Sequence, residues 1–355
     1  MTIPIQNEFI TVKDFYDKNK EVLTKSPSIN ILIKRIRENK IPFSNDLYFP
    51  LLPSFVGTRI CYSSKHPLEL FKEFEKKDYV VNLLNTLFNK GHYSVFAHSP
   101  MIAEDYIYRE IYDSTKCLYK GFYIKNYAIL NLRHIIEILD VDIKPFLFWL
   151  YDMDKAKFIP DIKIYGMRFT ANGIVNEYEY SYDDVIKKDN DEFLTVSDLA
   201  ERDMFELYLI DYSKFTKPFG WFSVMFHGGS VIMTHQLVRH TFFNFNQRSY
   251  RYTSAKKNRI NLTAIKKHTK LELVYDLLNK IYNYIDLISS MENIPNEDLR
   301  FLLPWGQPTT IILSGPYLVF EDFIYKRLHE KSQWEIKLFA EKLDMLINRI
   351  ILNKK

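Results

Sequence analysis

The sequence predicts a fold that mixes helices with strands, and three observations point to it. Apolar residues recur at helical spacing in 79–89, in 270–292 and in the segment after Ser332. WFSVMF, starting at Trp221, and the alternating KIYGMRF read as strands. Hydrophobic residues make up 47% and charged residues 26% of the 355. That balance lets a chain of this length bury one large core or two ordinary ones.

Taken in order, residues 1–50 are mixed and polar, with a short basic helix-like stretch at 31–40. From Ser54, SFVGTRICY reads as a strand or buried turn. The helix at 79–89 stops at Gly91, with Lys90 in its last turn. In 101–220, apolar helical patches (YAILNLRHIIEIL, then KPFLFWLYDM) give way to the alternating KIYGMRF, and the charged stretch 183–192 reads as a surface loop. This region has the character of an inserted lobe. The strand from Trp221 leads to a turn at Gly228 and Gly229 and a helix over 230–240. At the far end, Ser332 and Glu335 have capping-box spacing. Ile336, Phe339, Leu343, Ile347 and Ile350 then fall on one face of the last helix.

Composition excludes several classes. The net charge of +4 suits an enzyme of anionic metabolites and does not call for nucleic acid as a partner. Aromatic content of 16% reflects both a general bias of this sequence and stacking surfaces. The two cysteines, Cys61 and Cys117, cannot form a disulfide framework or a cysteine metal cluster. A reducing, cytoplasmic location follows, with no signal-peptide pattern and no apolar run of membrane-spanning length. No metal is expected. His235 and His240, and His92 and His98, miss the four-residue spacing that puts two imidazoles on one helical face. Phosphate-cradling glycine motifs and a nucleophile elbow are also missing from the sequence.

The densest polar constellation runs over 234–259, THQLVRHTFFNFNQRSYRYTSAKKNR. Three readings of it compete: a solvated basic loop, a nucleic-acid strip with aromatic stacking, and a pocket for one small phosphorylated ligand. In the last, guanidinium forks grip phosphate while Asn, Gln and Ser hold a base or sugar. Arg327 shares a helical face with Phe320, Phe323 and Ile324, and Arg300 directly precedes FLLP. Each arginine either snorkels to water or meets an anion.

These residues resemble the flavin-dependent thymidylate synthases, whose pattern is Arg-His-Arg-x-x-Ser-x-Asn-Glu-x-Ser-x-Arg-Tyr. Arg239, His240, Asn246, Ser249, Arg251 and Tyr252 match it, while Thr241, Asn244 and Gln247 replace Arg, Ser and Glu. TRICYSS and then GHYSVFAH resemble the family's GHxSxFEH box, with Ala97 in place of Glu. Gln236 stands three residues before Arg239, Arg300 four before Pro304, and KRLHEKSQWEI resembles LRxxxxAQWEI, aligning Arg327 with the catalytic arginine. The likeness covers 48–100 and 221–355, leaving 1–47 as an N-terminal extension and 101–220 as the inserted lobe.

The resemblance implies an α+β fold, a twisted mainly antiparallel sheet flanked by helices, assembled as a homotetramer with sites at subunit interfaces. It implies methylation of dUMP to dTMP with FAD as cofactor and methylenetetrahydrofolate and NADPH as co-substrates. Arg327 is the implied catalytic residue. Gln236, Gln247, Ser249, Tyr250, Arg251, Arg300 and Arg327 would hold dUMP, and His92, Ser94, Arg239, His240, Thr241, Asn246 and Asp322 would face FAD. Positions that offer Asn, Arg and Asn to the flavin in the family read Pro316, Leu318 and Asp322 here. Leu318 cannot pair with a phosphate, and an ionised Asp322 would repel one. Two alternatives stay open: one-carbon transfer to another pyrimidine nucleotide, or a non-catalytic binder of nucleotides or single strands.

Overall fold

The structure, a computed structural model, describes residues 50–104, 122–124, 127–136, 143–187, 204–211, 221–253, 271–291 and 293–353. The N-terminal extension, with its helix-like stretch at 31–40, and the basic run at 254–259 lie outside them.

In chain order the elements begin with helices α1 (Leu52–Tyr62), α2 (Pro67–Glu73) and α3 (Lys77–Asn89) and a 3-10 turn, Tyr93–His98. Strands β1 (Pro100–Glu104), β2 (Phe122–Ile124) and β3 (Tyr127–Asn131) follow, then helices α4 (Leu132–Ile136) and α5 (Lys144–Met153). Next come β4 (Lys163–Thr170), β5 (Gly173–Ser181), α6 (Tyr182–Lys187), β6 (Phe205–Asp211) and β7 (Trp221–Ser230). The remainder is α7 (Val231–Leu237), β8 (Asn244–Gln247), α8 (Leu271–Met291), α9 (Asn296–Leu299), β9 (Pro308–Pro316), α10 (Tyr317–Arg327) and α11 (Trp334–Asn353).

Six strands form one antiparallel sheet in the order β5-β4-β6-β7-β9-β8, and β1-β3-β2 form a small second sheet. The α+β expectation therefore holds. The stretch 101–220, set apart in the sequence as an inserted lobe, supplies β4, β5 and β6 to the large sheet.

Alternation along each strand sends neighbouring side chains to opposite faces. Ile164, Tyr208, Ile210, Met225 and Ile312 enter a core shared with α1, α2, α3 and α5. Tyr165, Leu207, Leu209, Val224, Phe226, Ile311 and Leu313 enter a second core with α7, α10 and α11. With both faces covered, β6 is buried throughout and β7 nearly so, which is why they read as continuous apolar runs.

Four local expectations change. SFVGTRICY is part of helix α1, buried on nearly every side, so no amphipathic period marks it. Its first amide, Leu52, donates to the buried Asp154 carboxylate at 2.7 Å, a cap from far along the chain. YAILN is strand β3 and LRHII is a helix, and the rest of that patch lies outside the described residues. Gly228 and Gly229 lie inside β7 at a bulge, not in a hairpin turn. Gly228 has φ +89, and a Cβ there would stand 2.8 Å from the Met204 carbonyl. In 183–192, the first residues continue helix α6 and the rest lie outside the described residues.

The last helix does bury Ile336, Phe339, Leu343, Ile347 and Ile350, but its cap is not the expected box. The Gln333 side chain accepts from the Glu335 and Ile336 amides at 3.0 and 3.1 Å. Glu335 reaches across to α7, accepting from the Ser230 amide at 2.6 Å and from its hydroxyl at 2.5 Å. The Ser230 hydroxyl in turn caps α7 through the Met233 amide.

Candidate nucleotide site

Strand β8 and the loop after it carry most of the motif. Beyond β8 the Arg248 amide donates to Thr310 at 2.8 Å, prolonging the pairing with β9. The Ser249 amide then turns to the Cys61 carbonyl of α1 at 3.0 Å. The Ser249 carbonyl accepts from the Tyr252 and Thr253 amides and the Thr253 hydroxyl, so the loop coils on itself.

This loop faces the segment between α9 and β9 across a pocket of about 640 Å³. Gln247, Ser249, Tyr250 and Arg300 all line it. The Gln247 amide donates to Thr309 at 3.3 Å, and the Tyr250 hydroxyl donates to the Pro308 carbonyl. The apolar walls include Phe301 and Trp305, 81% and 64% exposed. His235, Arg248 and Gln307 also line the pocket and were not singled out as ligand residues in the sequence. Gln307 accepts from the Tyr282 hydroxyl of α8, and its carbonyl takes the Val231 amide at 3.1 Å.

Arg251, Gln236 and Arg327 do not line this pocket. Arg251 points outward, pairs with Glu297 at 3.0 Å and lies over the Tyr252 ring. Gln236 and Arg327 belong to a second cluster where the ends of α7 and α10 meet. Arg327 Nε donates to His240 Nε2 at 2.7 Å, and a terminal nitrogen donates to the Gln236 carbonyl at 3.4 Å. His240 can accept only as a neutral ring. Burial, reinforced by the Arg327 charge, pushes its pKa down to about 4. Arg327 is itself drawn down by burial and by the nearby Arg239 charge.

The residues expected at the flavin are spread more widely. His92 and Ser94 are exposed around the 3-10 turn, and Arg239 and Thr241 are exposed beyond α7. Asp322 is exposed and pairs with Lys326 at 2.6 Å. Asn246 is enclosed: it accepts from His98 Nε2 at 2.7 Å and donates to the Cys61 sulfur at 3.1 Å. His98, its pKa pushed down to about 4 by burial, accepts at Nδ1 from Ser314 at 2.8 Å. Side chains of β8 thus alternate between this interior network and the pocket.

Behind the pocket lies a buried ionic cluster on β4, β6 and β7. The Glu206 carboxylate accepts from His66 Nε2 at 2.7 Å, Arg168 Nε at 2.8 Å and the Tyr208 hydroxyl at 3.0 Å. Burial alone would raise its pKa, but His66 and the Arg168 charge hold it well below the usual carboxylate range. His227 donates or accepts at Thr310, 2.7 Å away. Among the described residues, no group of His, Cys, Asp and Glu is placed to hold a metal ion. No helix there is long and apolar enough to cross a membrane.

A family model described as thymidylate synthase complementing protein matches residues 174–351, from β5 into α11. The chain belongs to this family. Curated relatives are named flavin-dependent thymidylate synthase. That of Pyrococcus furiosus is 33% identical over 130 residues, covering 34% of this chain and 52% of its own. Those of Saccharolobus solfataricus and Sulfolobus acidocaldarius are 30% and 28% identical, covering 41% and 43% of this chain and 60% and 62% of theirs. The chain therefore spans between 52% and 62% of the length of these relatives. A solved thymidylate synthase X from Helicobacter pylori, with FAD and dUMP, is 19% identical with a TM-score of 0.31, covering 37% of this chain and 69% of its own. The family match starts inside the stretch that the sequence set apart as an insertion, in keeping with the place of β5 and β6 in the shared sheet.

Proposed function

We propose that the chain methylates dUMP at C5 as a flavin-dependent thymidylate synthase. The observation that carries this is the convergence of Gln247, Ser249, Tyr250 and Arg300 on one pocket of about 640 Å³. That volume suits a mononucleotide. Arg300 offers a guanidinium to phosphate, Ser249 and Gln247 offer hydrogen bonds to sugar or base, and Phe301 and Trp305 offer apolar faces. Gln247, where the family has Glu, supplies a hydrogen bond without a charge.

Arg327 is the residue assigned to the chemistry. As C5 of the uracil becomes nucleophilic, negative charge develops on the ring oxygens, and a fixed guanidinium stabilises it. The neutral His240 beneath Arg327 holds the guanidinium in place without cancelling its charge. Arg327 and Gln236 stand apart from the pocket within one copy, which supports an active site shared between copies, as in the homotetramer that the resemblance implies.

FAD, reduced by NADPH, would supply the hydride, and methylenetetrahydrofolate the carbon. Arg239, Thr241, His92 and Ser94 fit a flavin as exposed hydrogen-bonding groups. Asn246 does not, since both ends of its amide are engaged inside the fold, and Asp322 offers a carboxylate already held by Lys326. No cysteine attack on the base is required. Cys61 is half-buried, and desolvation pushes its pKa up, which makes it a poor nucleophile.

The test is tritium release from C5-labelled dUMP, with and without added FAD. Release that depends on FAD and on methylenetetrahydrofolate is expected. A protein that stays colourless with FAD and releases no tritium would sink the proposal.

A further inference from the structure

Arg248 has no explained role so far. It occupies a position that the Arg-His-Arg pattern leaves unspecified, between the two motif residues Gln247 and Ser249. It lines the pocket, yet it is only 6% exposed. Its Nε is enclosed and, among the described residues, has no hydrogen-bond partner. One terminal nitrogen lies 3.5 Å from the Lys65 carbonyl, at the outer limit for such a bond.

The titratable groups that face it are Tyr250, on its own loop, and His227, on β7. His227 is held neutral by burial, its pKa pushed down to about 3. The nearby carboxylate, Glu206, is already committed to His66 and Arg168. A guanidinium does not shed its proton in a protein, so this one stays charged while enclosed. A buried charge without a partner is unfavourable. In the wall of a pocket it is poised for an anion that accepts two parallel hydrogen bonds.

We propose that Arg248 binds the phosphate of a nucleoside monophosphate in this pocket, with Arg300 as the second cation. This rests on reading the pocket as a nucleotide site, and it adds a residue that selects the phosphorylated form over the free nucleoside. Two cations match a dianionic phosphate ester, and such a ligand would complete the hydrogen bonding of Arg248.

The full chain is titrated calorimetrically with dUMP, with deoxyuridine and with inorganic phosphate, as wild type, Arg248→Met and Arg248→Lys. Arg248→Met is expected to weaken dUMP about 100-fold while leaving deoxyuridine within about twofold. Arg248→Lys keeps the charge but loses the fork, so a loss of about tenfold is expected. Unchanged dUMP affinity in Arg248→Met, or an equal loss for dUMP and deoxyuridine, overturns the proposal. If Arg248→Met does not fold, the ratio of dUMP to deoxyuridine affinity in Arg248→Lys decides, and an unchanged ratio overturns it. If the wild type binds neither dUMP nor deoxyuridine, the nucleotide reading fails separately. Inorganic phosphate then judges Arg248 alone: binding lost in Arg248→Lys upholds an anion site, and no binding overturns it.

Discussion

Replacing Glu206 by Gln should be among the most damaging single changes outside the site. The carboxylate accepts from His66, Arg168 and Tyr208, and both Glu206 and Arg168 are buried. Gln keeps the shape but removes the charge that offsets Arg168. Its amide also turns two donors toward groups that are themselves donors. Breaking a buried ion pair by removing one partner costs about 3–5 kcal/mol. At about 2–4 °C per kcal/mol for a domain of this size, the melting midpoint should fall by about 6–20 °C at neutral pH. Calorimetry or a circular-dichroism melt reads this directly. The pH dependence gives a second measure. A carboxyl whose folded pKa is depressed contributes stability that is fully present above the unfolded value of about 4.3 and is lost as pH falls below it. The gap between wild type and Glu206→Gln should therefore narrow below about pH 4. Adding Arg168→Met to Glu206→Gln should restore part of the loss, since the buried cation goes too. A single variant that melts within a degree of wild type at pH 7, or a double variant less stable than the single, would refute the reasoning.

Three further outcomes are expected. Arg327→Ala should lower tritium release by at least about 100-fold while the half-buried side chain leaves the melting midpoint nearly unchanged; unchanged turnover would remove Arg327 from the chemistry. The His240 ring should stay neutral in an NMR titration down to about pH 4. Because that folded pKa lies below the unfolded value of about 6.5, the contribution of this ring to stability is present above pH 6.5 and lost as pH falls toward 4; a ring that titrates near 6.5 would contradict the Arg327 contact. Gly228→Ala should cost about 1–3 kcal/mol in urea unfolding, since φ is +89 and the new Cβ would meet the Met204 carbonyl. Gly91→Ala, with φ +73 and open space, should cost less.

The sequence made some elements legible and hid others for physical reasons. The apolar face of α11 could be read because one side of that helix meets solvent and leaves a period. Helix α1 could not, because it is enclosed on nearly all sides and capped by Asp154 from α5's end of the chain. The Ser332–Glu335 spacing suggested a local box, but a buried contact with Ser230 outcompeted it for the Glu335 carboxylate. In the site, the family resemblance brought out Gln247, Ser249, Tyr250 and Arg300, which the loop after β8 and the turn before β9 bring together. Arg248 stayed hidden because its distinguishing property is a buried Nε left unbonded among the described residues, and one-dimensional spacing carries no information about partners. The separation of Arg327 from the pocket was equally invisible, since order along the chain does not report distance in the fold.

Strand β8 presents Gln247 to the pocket and Asn246 to the His98 network, one residue apart on a pleated ribbon. Within β8, ligand-facing and interior-facing roles are therefore assigned by parity. Inserting one residue before Asn246 would exchange the two sets, placing a core-bonded amide in the pocket and a pocket group against His98. Inserting two would keep the assignment and move only the reach of the loop. Variation in how this strand meets its ligand is confined to even steps, so its length is a coarser dial on specificity than the identity of the residues it carries.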